Sequence, residues 1–63
     1  MNQAQRNELI RLIGTARTNA IEYGIIYDRT QHGEYVREDL ILARQKALNN
    51  AMRNVYEYLE SID

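Results

Sequence analysis

The residues in this chain that could do covalent or metal chemistry are few and scattered. The only histidine, His32, stands beside Gly33 and Glu34, and no second histidine supplies the HxxxH spacing of a helical metal site. A solvated turn residue is the reading that this position favours. Hydroxyls are present at Ser61, Thr15, Thr18 and Thr30, yet a single histidine and no cysteine leave no base-and-orienter set to activate them within one copy. The residue types therefore predict no enzyme, no metal and no cofactor.

What remains is recognition chemistry. Between residues 43 and 55, Arg44, Lys46 and Arg53 occur without an acid, and Gln45, Asn49, Asn50 and Asn54 add amide donors. Such a set suits phosphates and base edges, and dimeric helical hairpins can bind folded RNA through one helix face. On a helix, Lys46 and Arg53 share a face while Arg44 points well away from them, so the basic set is not continuous. Nucleic-acid binding is accordingly the secondary reading.

Arg44 projects about 40° from Leu40, inside an apolar stripe where an unpaired charge is costly. If the chain reverses near residue 30, Arg17 lies at about the same level. Either both stems pack at the edge and let their guanidinium groups reach water, or the pair receives an acidic group from a second subunit or a partner protein. Asn54, near the level of Asn7, could set register or sit on a rim. Tyr35 and Tyr56 project away from the Leu40 stripe near opposite ends of the second helix. With Arg17 and Arg44 they are the candidate exposed contacts to a partner.

Composition narrows the class. The 63 residues are 44% hydrophobic and 27% charged, without Cys or Pro, and carry a formal net charge of −1. Eight basic residues against nine acidic ones give no global field to attract nucleic acid or anionic lipid. No apolar run approaches the ~20 residues of a membrane helix, and the N-terminal stretch lacks a signal-peptide layout, so a cytoplasmic protein is expected. A domain of about 60 residues buries only ~60% of its unfolded surface and usually needs a disulfide, a metal or a partner chain. Without cysteine, self-association or docking on another protein is left.

The elements that must position these groups are helical. Leu9, Ile13, Ala16, Ala20, Tyr23 and Tyr27 recur at steps of three and four, as do Val36, Leu40, Ala43, Ala47, Ala51, Val55, Tyr58 and Ile62. The polar segment Asp28 to Gly33 is the one convincing turn. The pattern predicts a single all-α domain over residues 1–63: a long antiparallel helical hairpin with helix 1 over about 3–27, a turn at 28–33 and helix 2 over about 34–60. Asn2 and Gln5 form a candidate capping box at its start. Glu57, Glu60 and Asp63 oppose the dipole at its end, so the last turn is expected to fray.

Each helix carries a second apolar row: Ile10, Ile21 and Ile25 on the first, and Ile41, Leu48, Met52 and Leu59 on the second. A two-helix hairpin uses one face per helix, so the surplus row is the candidate oligomer or partner interface. A homodimer completing a four-helix bundle is the simplest expectation. A monomer with a groove for a different protein is the alternative.

The run Asn7-Glu8-Leu9-Ile10-Arg11-Leu12-Ile13-Gly14-Thr15-Ala16-Arg17, the turn Tyr27-Asp28-Arg29-Thr30-Gln31-His32-Gly33 and the ending Asn54-Val55-Tyr56-Glu57-Tyr58-Leu59 resemble small accessory proteins from the early exo–xis region of lambdoid bacteriophages. The resemblance spans the whole chain but contains no diagnostic motif. It implies an all-helical, oligomeric early phage protein acting on host regulation and on the choice between lytic growth and lysogeny; with the surplus apolar row, the expectation is a protein of the host cytoplasm that binds a host regulatory protein. No site residues come with it.

Overall fold

At the start of the chain, the Asn2 side-chain oxygen accepts from the Gln5 backbone N–H at 2.8 Å, and the Gln5 side-chain oxygen accepts from the Asn2 N–H at 2.9 Å. This reciprocal cap is the one expected from the sequence, and it opens α1, Gln3–Gln31. The computed structural model describes residues 1–62, and its second helix is α2, Glu38–Ser61. The two pack side by side as a hairpin with extents of 47 × 15 × 12 Å, and no strand occurs among the described residues.

The helix boundaries differ from the sequence expectation. Asp28 to Gln31 continue α1, which is polar there but fully compatible with helix at a solvated end. What stops α1 is Gly33, at φ +81°. Its N–H donates to the Thr30 carbonyl at 3.1 Å and the Glu34 N–H to the Arg29 carbonyl at 3.0 Å, a Schellman closure that needs a left-handed residue. Glycine adopts that conformation without steric cost. Residues 34–37 are then non-helical, and α2 begins at Glu38, four residues later than expected. Arg37 occupies its N-cap position without a side-chain cap; its guanidinium pairs with Asp39 at 2.6 Å instead. At the far end α2 holds through Ser61 despite Glu57 and Glu60, while Asp63 lies outside the described residues.

The inward rows are also rotated from those expected. On α1 the seam runs through Leu9, Leu12, Ala16, Asn19, Tyr23 and Ile26, so Leu12, Asn19 and Ile26 replace Ile13, Ala20 and Tyr27, which are exposed. On α2 it runs through Ile41, Leu48, Ala51, Val55, Tyr58 and Ile62, with Arg44 in the same row. Leu40 and Ala43 are exposed and Val36 lies in the connection. Both rows keep the alternating three- and four-residue step of a coiled-coil seam. In each helix the structure takes the row with the larger aliphatic side chains, although that row contains one polar residue. Larger side chains remove more apolar surface from water, at roughly 25 cal/mol per Å², and the polar member keeps its head solvated or hydrogen-bonded.

Burial along the seam is shallow. Only Ile26 and Ala51, at 8% and 6% exposure, are buried hydrophobic residues among the described ones. Replacing Ile26 with Ala is expected to cost about 2–3 kcal/mol of unfolding free energy in urea, against less than about 0.5 kcal/mol for Ile21→Ala on the outer side of α1. Gly33→Ala, which forces a side chain into the left-handed region, is expected to cost about 1 kcal/mol in the same titration.

Candidate functional site

The groups that could do covalent chemistry are tied into their own helices. Thr15, Thr18 and Thr30 each donate to the carbonyl four residues back, at 3.2, 3.0 and 3.1 Å, and Ser61 donates to Tyr58 O at 2.8 Å. None of the four faces a base. His32 is exposed at the end of α1, with Nδ1 2.8 Å from the Asp28 carbonyl oxygen and 3.5 Å from its carboxylate. Among the described residues no three His, Asp or Glu side chains gather where they could hold a metal ion. No helix there is long and apolar enough to cross a membrane.

Arg44 does receive an acidic group, and it comes from the same chain. Its Nη1 lies 3.1 Å from Glu22 Oε2 across the seam, with both side chains 44% exposed. The sequence readings offered water or an acid from a second subunit or partner; Arg44 finds an acid on its own chain while its side chain stays half in water. Glu22, which sequence reasoning missed, is three residues from Asn19 and on the same side of α1. Arg17 is not brought to Arg44; it is exposed and lies about 140° around α1 from Glu22. Asn54 is exposed, hence at a rim, and the polar residue within the seam is Asn19, whose side chain donates to Thr15 O at 2.9 Å. A sequence signal for Glu22 existed in the helical level it shares with Arg44 once the turn is placed near residue 33.

The candidate interface residues divide. Ile41 and Leu48 are half-buried in the hairpin's own seam and are not part of a free row. Ile10, Ile21 and Ile25 are exposed and lie about 150° or more around α1 from the seam. Met52 and Leu59 are exposed beside the seam, on the flank where Ile13, Ala16, Met52, Val55 and Tyr56 line an apolar groove of about 210 Å³. Tyr35, at 89% exposure, stands alone in the connection, whereas Tyr56 forms a wall of the groove.

The opposite flank carries the charged pairs. Glu8 and Arg11 pair there, Arg11 Nε reaching Glu8 Oε2 at 3.1 Å, and the guanidinium holds the Glu8 carboxyl below the usual carboxylate range while its own pKa is raised. The Glu22–Arg44 pair follows about three turns further along the same side. On the outer side of α2, Leu42, Gln45, Lys46, Asn49, Asn50 and Arg53 line an open hollow of about 610 Å³, and Arg53 hydrogen-bonds Asn50. The basic and amide set is thus largely assembled on one face, without Arg44 and Asn54.

Set against family models, curated proteins and solved structures, the chain matches none of them. Its class therefore rests on its own geometry: an all-helical hairpin whose chemistry-bearing side chains make contacts along surfaces.

The Glu22–Arg44 pair is half-exposed, and such pairs contribute below about 1 kcal/mol. Glu22→Gln is expected to lower stability by less than that amount. Arg44→Leu, which extends the seam between Ile41 and Leu48, is expected to raise it by about 1 kcal/mol in urea titration.

Proposed function

We propose that this chain is a non-enzymatic interaction module: two copies form a four-helix bundle, and the bundle occupies the surface of a host regulatory protein. The observation that carries this reading is the shallow seam, which leaves Ile10, Ile13, Ile21, Ile25, Met52 and Leu59 exposed on a chain with almost no enclosed core. Exposed aliphatics in that density on a small domain belong to surfaces that another chain covers. The phage resemblance supplies the setting: an early accessory protein in the host cytoplasm that influences host physiology or the choice between lytic growth and lysogeny. Rigid helices would present the contacts, and exposed Arg17 and Tyr35 would give them specificity. Immobilised full chain is expected to retain a specific protein from bacterial lysate after nuclease treatment, read by quantitative mass spectrometry. Recovery that vanishes with nuclease, or never occurs, overturns the protein-binding reading.

The second reading is nucleic-acid binding through the outer side of α2, favoured by the convergence of Gln45, Lys46, Asn49, Asn50 and Arg53 on one hollow. Two cations on a chain of net charge −1 make this a salt-sensitive contact. It predicts a mobility shift of RNA or DNA at low salt that is lost in the Lys46→Ala, Arg53→Ala double variant. No shift at low salt removes it.

A further inference from the structure

Three apolar or mixed surfaces are open on the hairpin: the outer side of α1, the outer side of α2 and the apolar flank. Resting on the reading of the chain as an interaction module, we propose that the flank lined by Ile13, Ala16, Met52, Val55 and Tyr56 is the self-association surface, and that its occupant is the same flank of a second copy.

The geometry favours this surface over the others. A four-helix bundle forms when side chains of one helix pair enter the groove between the two helices of the other, and this flank is the apolar groove that both helices build. The outer side of α1 offers Ile10, Ile21 and Ile25 on a single convex helix. The outer side of α2 carries Lys46 and Arg53, and the opposite flank carries the Glu8–Arg11 and Glu22–Arg44 pairs, so covering either would strip water from charges. Along the apolar flank α1 carries the small Ala16 and Ala20 beside the exposed Ile13, while α2 carries the exposed Met52, Tyr56 and Leu59, so small and large side chains occur within one patch. An isologous contact needs both kinds of surface within one patch.

Area points to the same occupant. The 7.4 kDa chain exposes 5031 Å². That is about 800 Å² more than the ~4,200 Å² at which a globular monomer of this mass falls, and a standard interface takes about 800 Å² from each partner. One contact with a like copy brings the hairpin to ordinary surface for its size.

The chain has no cysteine, so single thiols can report each surface. Light scattering coupled to gel filtration of the full chain is expected to give about 15 kDa, two copies of 7.4 kDa. In that species the thiol of Met52→Cys should react with a maleimide about tenfold or more slowly than the thiol of Ile21→Cys, and the difference should vanish on dilution to single copies. Tyr56→Cys repeats the measurement from the other wall of the groove should Met52→Cys alter assembly. A dimer with open thiols at both groove positions overturns the choice of flank and leaves the interaction-module reading intact. A chain that stays at 7.4 kDa overturns self-association, and nuclease-resistant protein capture then tests the broader reading separately.

Discussion

Two helices packed side by side have a seam but no interior, and that constraint governs the rest of this molecule. At 15 × 12 Å across its shorter dimensions, the hairpin is only as thick as its pair of helices. Each helix can turn one narrow row inward, and even there only Ile26 and Ala51 among the described residues leave solvent behind. Ordering each residue costs on the order of 1–2 kcal/mol in conformational entropy, so a seam this shallow leaves little net stability. The pressure to cover apolar surface elsewhere follows directly from that geometry.

Within the seam, polar residues set its character more than its strength. Asn19 is satisfied by the Thr15 carbonyl of its own helix, and Arg44 reaches out to Glu22. Neither group is fully withdrawn from water, so neither incurs the large desolvation cost of a buried charge. The Glu22–Arg44 pair links the two helices at a defined level and draws charge toward one flank. The other flank is left to Ile13, Met52 and Tyr56, and this difference between the two sides distinguishes one way of adding further helices from another.

Much of the fold was legible in the residues. The capping pair Asn2 and Gln5, the glycine that closes α1, the absence of proline and the three-four spacing all act locally, and each element they specify is present. The turn was less legible, because Asp28 to Gln31 are polar in a way that suits a loop and a solvated helix end equally. Only the backbone closure at Gly33 separates the two. The inward rows were less legible again: on α1 the true and expected rows share Leu9, Ala16 and Tyr23, and they part by a single residue of helical phase.

The sequence by itself therefore determined that the chain is helical, where its first helix starts, and that it carries more apolar surface than one hairpin can cover. Local hydrogen bonding and periodicity are sufficient for those decisions. Only the tertiary structure decided which rows turn inward, because the choice between Ala20 and Asn19, or between Ala43 and Arg44, depends on what the facing helix offers. Leu48 fills the seam better than Ala47 would, and Glu22 stands where Arg44 can reach it. That same choice turned Ile13, Met52 and Tyr56 outward onto one flank, a placement that no single helix pattern contains.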